Sequence, residues 1–506
     1  MLMSAKRLLP LAALFIIVVI AGLVLKRRPA PTQLADETGF ERLVPPTLQV
    51  DSIRGVDLSL GTQPENVVRL RRQENTWVAA SYYNAPVQTE KLSAFLTTLS
   101  NLEGELRTDQ AELLQDFRLD DAQALHLRLY TETFDTPAVH LLAGKGSGRQ
   151  GFMRRADSTR VYSVTLNVHN EAGLTGDAPD QQLAAKPWLD LHIQDVPKEQ
   201  ITAVTLQTPE RSLQFAWQPS PSAAATSQES PPPATPPQGR WALTAPQGIF
   251  EPKQSGLDSL VNTLRTLRAD DIANPDNMAA YGLEQPAYRA TLTVQAPGTE
   301  ARDVSLLIGA AVPDQADKRY SRLDDAGPIY ILPAWVFRRL FPPAKELLEL
   351  LSLEAQSADV QRVTWRYGEE SGTLEPAAAP QEGAASQPNT AWRLAEFPDA
   401  RLDDAAIKAF FAALSQLTAD DWVDRPAQPT GLDHPQVELH LTLRDNRTVS
   451  LALGQSRGSS DAGYYASLLD HPGTFVVSTT AYTALTEALS TLRPPLPSPA
   501  PAPTQP

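Results

Sequence analysis

Apolar positions recur along this chain in one order of periods, three times over. A copy opens with two alternating runs, such as Ile201, Val204 and Leu206, then Leu213, Phe215 and Trp217; the third copy matches with Val360, Val363, Trp365 and Tyr367. A strand led by Trp77, Trp241 or Trp392 follows. The period then changes. Leu92, Phe95, Leu96, Leu99 and Leu102 answer to Leu257, Leu260, Val261, Leu264 and Leu267, and to Ile407, Phe410, Phe411, Leu414 and Leu417. That spacing predicts one buried stripe on an α-helix. Five such side chains, at about 1.5–3 kcal/mol each, hold a helix against a sheet.

After a polar stretch the alternation returns. Leu125, Leu127 and Leu129 correspond to Ala290, Leu292 and Val294, and to Val437, Leu439, Leu441 and Leu443. A second alternating strand ends at a glycine in each copy: Gly144, Gly309 and Gly454. Aromatic strands come next (Val161-Tyr162, Tyr330-Ile331, Phe475-Val476), then a closing helix, clearest at Ala334 to Phe341 and Thr480 to Leu492. Each copy therefore predicts a mostly antiparallel sheet with packed helices, and the fold class is α+β.

The markers drift together, which points to duplicated domains. Beside the tryptophans and glycines, a leucine recurs in similar turns: Phe117-Arg118-Leu119-Asp120, Tyr281-Gly282-Leu283-Glu284 and Thr430-Gly431-Leu432-Asp433. The copies are placed at residues 49–195, 196–352 and 353–492, after a polar spacer at 29–48 and before a Pro-rich tail at 493–506 that cannot form a core. Low-complexity runs at 219–239 and 375–390 precede Trp241 and Trp392, where the first copy has only Arg72 to Thr76. Insertions at one point of a repeated unit mark a hairpin tip.

The N-terminus differs from everything after it. Lys6 and Arg7 precede an uncharged run, Leu8 to Leu25, and Lys26, Arg27 and Arg28 follow. As a helix the run is about 27 Å long, close to the roughly 30 Å of a bilayer's hydrocarbon core. Three cations stand where a cleaved signal peptide, the alternative, needs small residues. An uncleaved N-terminal transmembrane helix over residues 1–28 is expected, with a short inner lead and the bulk of the chain exported to the periplasmic side of an inner membrane.

Composition narrows the partners. Formal net charge is -15, with no long basic run beyond the N-terminal flanks, which argues against nucleic acid. The chain has no cysteine, which removes disulfides, thiolate metal sites, cysteine nucleophiles and N-terminal lipidated cysteine.

The Trp strand, the striped helix, the turns Gly282-Leu283-Glu284-Gln285-Pro286 and Gly431-Leu432-Asp433-His434-Pro435, and the strand end Leu306 to Gly309 together resemble the domain-of-unknown-function family 4340. With the anchor, the resemblance covers nearly the whole chain. The first copy departs from it, with Arg118 for the glycine and Ala122 for the proline. The resemblance implies a membrane-anchored repeat protein found beside gliding-motility-type ABC transporters, and it transfers no catalytic residue.

Duplication supplies a filter for chemistry: residues common to all copies are architecture, and a single site uses residues special to one copy. Asp270-Asp271 and Asp420-Asp421 are paired carboxylates suited to acid–base work or a hard cation, but they recur at equivalent points and are expected to be solvated helix exits. Asp120-Asp121 and Asp403-Asp404 are expected at a turn or helix start. The seven histidines, His126, His140, His169, His192, His434, His440 and His471, form no HExxH motif. His126 and His440 alternate with apolar neighbours and are expected on solvent faces; convergence of His434, His440 and His471 is the one metal possibility weighed. Gly144-Lys145-Gly146-Ser147-Gly148 lacks P-loop spacing and predicts a flexible hairpin. Arg154 and Arg155, with Arg319 and Arg322, are expected as exposed hairpin cations rather than an anion-binding edge, the third copy having Tyr464 and Tyr465 nearby.

No catalytic, cofactor-binding or metal residue is assigned, and no cofactor. The expectation is a non-enzymatic extracytoplasmic accessory or scaffold, held by lipid and partnered by integral transporter subunits or other envelope proteins. The alternative is a module that binds a glycan or peptide in an inter-domain groove, and an envelope hydrolase using His and Asp residues of the third copy is the third.

Overall fold

The computed structural model describes residues 40–175, 181–220, 239–248, 250–350, 357–377, 392–398, 402–458, 462–468 and 471–492. Leu8–Leu25, most of both low-complexity runs and the Pro-rich tail lie outside them. Among the described residues no helix is long and apolar enough to cross a membrane. The α-helices among the described residues are α1 (Thr89–Ser100), α2 (Val168–Glu171), α3 (Gln254–Arg265), α4 (Ala334–Leu340), α5 (Ala344–Leu347), α6 (Asp404–Ser415) and α7 (Thr479–Thr491).

Alternating runs build three large sheets, and all three share one strand order. The second sheet runs Gly239–Ala245, Ser212–Pro219, Ile201–Gln207, Tyr288–Val294, Arg302–Val312, Gln315–Leu323, Ile329–Leu332, Asp271–Ala273. The third runs Trp392–Leu394, Glu370–Pro376, Val360–Tyr367, Val437–Leu443, Thr448–Ser456, Tyr464–Leu468, His471–Val477, Ala419–Val423. The first has the same eight in the same order, from Thr76–Ala79 to Glu103–Thr108, and adds Ala85–Pro86 at one edge and Phe40–Arg42 at the other. Each neighbouring pair of the shared order is antiparallel. The α+β reading holds.

In chain order the striped helix follows one edge strand and precedes the other, so it must cross the sheet. The apolar stripe fixes which side it presents. Leu92, Phe95, Leu96 and Leu99 of α1, Leu257, Leu260, Val261 and Leu264 of α3, and Ile407, Phe410, Phe411 and Leu414 of α6 are all buried. Trp77, Trp241 and Trp392 are buried on the equivalent end strands of the shared eight. Pro219 pairs with Gly239 and Pro376 with Trp392, so each low-complexity run falls between two neighbouring antiparallel strands.

The marker glycines and leucines have one cause. A Cβ on Gly144 would lie 2.1 Å from the Phe117 carbonyl oxygen, on Gly309 2.0 Å from that of Tyr281, and on Gly454 2.2 Å from that of Thr430. In every copy the polar turn thus lays its backbone directly on the strand, and only glycine admits it. The strand pairing shifts register just past each glycine, a β-bulge in all three sheets. Two residues after that carbonyl, the marker leucine enters a small cluster on the sheet's second face: Leu119 with Ala124, Leu142 and Val161, Leu283 with Tyr281, Leu307 and Ile329, and Leu432 against Val423, Tyr465 and Val476. Each sheet is therefore covered on both sides, by a helix and by a turn.

Between carbonyl and leucine the backbone is left-handed, with φ of 65° at Gly282 and 68° at Gly431. Arg118 occupies the same conformation at φ 53°, so the first copy keeps the turn without the glycine. A non-glycine residue there costs about 1–2 kcal/mol. Arg118→Gly is expected to stabilise the first unit by about 1 kcal/mol, read as a higher urea midpoint with unchanged slope.

The chain divides into two compact units between Asp190 and Leu191. The first unit holds the first copy. It begins earlier than the expected end of the spacer at 48: Phe40–Arg42 pairs with Glu103–Glu105, and Leu43 and Val44 are buried at 1 % and 0 % exposure, too apolar to remain a linker. His192–Asp195, expected at the end of the first copy, instead pairs with Thr266–Arg268 of the second. The second unit holds the second and third copies together, so the expected boundary at 352/353 falls inside it.

Candidate functional site

The junction inside the second unit carries the strongest charge chemistry of the described chain. Asp421 lies on Ala419–Val423, the edge strand of the third sheet, where a register shift between Ala419 and Asp421 interrupts the pairing. Asp421 is 8 % exposed, and its carboxylate accepts from three groups drawn from both copies. Oδ1 accepts from the Ala344 backbone N–H at 2.8 Å and from the Arg211 guanidinium; Oδ2 accepts from Arg457 at 2.9 Å. Arg211 also donates to the Pro342 carbonyl, and Arg457 to the Glu210 carboxylate. The Glu210 carbonyl accepts from the backbone N–H groups of Asp424 and Arg425, both at 2.9 Å.

Two arginines and two carboxylates thus interlock, with Glu210 and Arg211 from the second copy and Asp421 and Arg457 from the third. Burial pulls the Arg211 guanidinium below its usual range, and Asp421 opposes that pull. Burial also works against the charge of Arg457, but the Glu210 and Asp421 carboxylates outweigh it and raise its pKa. Apolar contacts complete the junction. Phe250 of the second copy meets Trp422 and Phe475 of the third edge-on, at 5.7 and 6.1 Å between centroids. Lys345 pairs with Asp420 at 2.9 Å on the surface.

Beside the cluster is a cleft of about 430 Å³. Tyr288, Phe337 and Phe341 form its apolar side, packed edge-on with centroids 5.0 and 5.2 Å from Tyr288. Arg319 caps this group, 4.5 Å from the Phe337 ring centroid.

The structure corrects several expectations from sequence. Asp421 is not a solvated helix exit, because arginines distant in sequence close over it. Asp420 keeps a surface partner, Asp270 pairs with Lys318, and Asp271 accepts from the Ile272 N–H at 2.8 Å. Asp403 caps α6 through the Ala405 N–H, and Asp404 begins that helix. His126 is not on a solvent face: the turn bearing Leu119 covers that side of the first sheet. Its Nδ1 lies 3.1 Å from His140 Nε2 and its Nε2 2.9 Å from the Asp121 carbonyl oxygen. Burial first, then Arg128, lowers His140 to about 4. His440 is exposed, with Nδ1 2.8 Å from Ser450 Oγ. Among the described residues no group of three or more His, Cys, Asp or Glu side chains is placed to hold a metal ion.

Arg154 is likewise buried rather than exposed. It donates from Nε to the Leu119 carbonyl at 2.7 Å, pairs with Asp121 at 2.6 Å and reaches three more carbonyls, tying the marker turn to the strand. Arg155 donates to the Leu43 carbonyl at 3.0 Å, and Arg322 approaches Met278 Sδ at 3.7 Å. Residues 144–148 form a hairpin tip whose Gly148 carbonyl accepts from Asn167 and Asn170. Tyr464 stacks on Tyr482 at 3.6 Å, while Tyr465 is buried. Sequence reasoning missed Glu210, Arg211 and Arg457 altogether. The copy filter was the available signal, since none of the three belongs to a repeated marker.

No curated protein and no solved structure matches the chain. The family model described as a domain of unknown function (DUF4340) matches residues 77–235, 241–391 and 392–494, each segment opening at a marker tryptophan. These segments span most of the sequence, and the chain belongs to the DUF4340 family.

Proposed function

We propose that this protein is a non-catalytic extracytoplasmic scaffold, tethered by Leu8–Leu25 and working beside the integral subunits of an ABC transporter in an envelope assembly. The observation that carries the reading is the junction of the second unit. A protein that spaces or orients partners needs its domains fixed to one another, and the interlocked Glu210, Arg211, Asp421 and Arg457 supply that. The residues shared by all three copies are occupied in shaping turns and sheets. The membrane tether rests on the uncharged run and its flanking cations, and the transporter on the company that the family keeps.

The test is extraction of native membranes with alkaline carbonate, then with mild detergent. The reading expects the chain to stay with the membrane in carbonate and, in detergent, to co-purify with transporter membrane subunits; removal of residues 1–28 releases it. Solubility in carbonate, or purification free of transporter subunits, would contradict it. A second reading, a glycan- or peptide-binding module, draws on the aromatic cleft at Tyr288, Phe337 and Phe341.

A further inference from the structure

We propose that the groove between α3 and α4 in the second copy binds a carboxylate-bearing saccharide. The groove encloses about 460 Å³ and includes Asn262, Thr263, Arg268, Trp335 and Arg339 in its lining. No aspartate or glutamate is among the described residues that line it.

Pro333 and Ser478 precede α4 and α7 after equivalent strands, so Trp335 and Arg339 of the second copy stand where the third has Thr480 and Ala484. The helix stripes place Asn262 and Thr263 opposite Ala412 and Ala413, and Arg268 opposite Thr418. In the third copy these small residues let α7 pack on α6, and Ala413 is buried. In the second copy the same surface carries an indole, two guanidiniums, an amide and a hydroxyl, and it stays open as a groove. A site special to one copy is what duplication leaves for binding.

Trp335 is 55 % exposed, an apolar area that packing leaves uncovered. The Arg339 guanidinium carbon lies over its ring, 5.9 Å from the centroid, which sets the charge against one face of the indole. Arg268 is exposed as well. The C-terminal end of α3 would disfavour an anion, but its carbonyls there are engaged: Leu264 accepts from Gln194, and Arg265 from the Val196 N–H at 2.8 Å. A cationic groove on a chain of net charge -15 selects an anion locally. The opposite face of the indole suits the C–H face of a pyranose ring, and guanidinium forks suit its carboxylate. Asn262 uses its Oδ1 on Arg265 at 3.0 Å, which leaves its NH₂ to donate to a sugar oxygen. Thr263 donates to the Ser259 carbonyl at 2.9 Å, which leaves its oxygen to accept. The inference stands independently of the scaffold reading, because a free-standing binding protein would use the groove in the same way.

The experiment titrates the detergent-solubilised full chain with tri-galacturonate and with its methyl ester, following tryptophan fluorescence and heat. The ester keeps the ring faces and removes the charge. Saturable binding is expected, at least about tenfold weaker for the ester and about tenfold weaker in Trp335→Ala and in Arg339→Ala, with Arg339→Lys between. Both side chains are exposed, so the melting temperature is expected to stay put; the ester comparison on the unaltered chain decides the matter if it does not. Absence of saturable binding, equal affinity for acid and ester, or Trp335→Ala binding as well as the parent would overturn the proposal. So would a hexaglutamate peptide that binds more tightly than the uronate, which would assign the groove to an acidic protein segment.

Discussion

Asp421→Ala is expected to destabilise the second unit by about 3–5 kcal/mol, the cost of leaving a buried charge without its partner. Arg211 would then remain buried with only the Pro342 carbonyl for its guanidinium, and Arg457 would keep Glu210 alone. The Ala344 N–H would lose its acceptor as well. The expected result is a lower denaturant midpoint for residues from Leu191 on, with the first unit's transition unchanged. Asp421→Asn separates charge from shape, since it keeps an acceptor for Ala344 and removes the anion; an intermediate loss is expected. Replacing Arg211 and Asp421 together by apolar residues of similar volume should recover much of the loss, because a buried pair is costly to break but not to exchange for good packing. If Asp421→Ala left the second unit's midpoint unchanged, the interlock would have no part in holding the two sheets.

Gly309→Ala is expected to cost about 3 kcal/mol, at the upper end of overpacking penalties. The new Cβ would sit 2.0 Å from the Tyr281 carbonyl oxygen and 3.1 Å from the Gly282 carbonyl carbon. Backbone, unlike a flexible side chain, cannot swing away. The turn must lift, and Leu283 and Tyr281 then leave the cluster they form with Leu307 and Ile329. Gly282→Ala beside it tests a different cost, since that Cβ has room and meets only the left-handed φ of 65°. It should lose less. The two variants, compared by denaturant titration, separate close approach from backbone strain.

What was legible in the sequence was what period and repetition encode. A stripe such as Leu257, Leu260, Val261 and Leu264 can only be one helix face, and alternation such as Leu125, Leu127 and Leu129 one strand face. Three copies make the assignment mutual and mark Gly144, Gly309 and Gly454 as architecture, but the carbonyls that require glycine there are visible only in the fold. Arg118 obscured the turn, because the residue type hid a conformation that its copies display through glycine.

The charged junction was illegible for a different reason. Asp421 meets Arg211 across 210 residues of chain, and nothing local distinguishes it from Asp271, which stays at a sheet edge. His126 was misplaced because alternation reports two faces of a strand but not what covers the second. The turn bearing Leu119 does so here. Arg154 was misread by the same logic: a cation on a hairpin strand is a surface residue unless a turn folds its carbonyls toward it.

One measurement bears most directly on the claim that three equivalent sheets are shaped by the same backbone contact. It is hydrogen exchange, resolved by peptide, on Gly144→Ala, Gly309→Ala and Gly454→Ala. The account predicts faster exchange in all three: confined to residues before Asp190 for Gly144→Ala, and spread over the second unit for the other two. Parent-like exchange in any one of the variants would mean that its turn does not rest on its strand as the others do, and would contradict the shared plan.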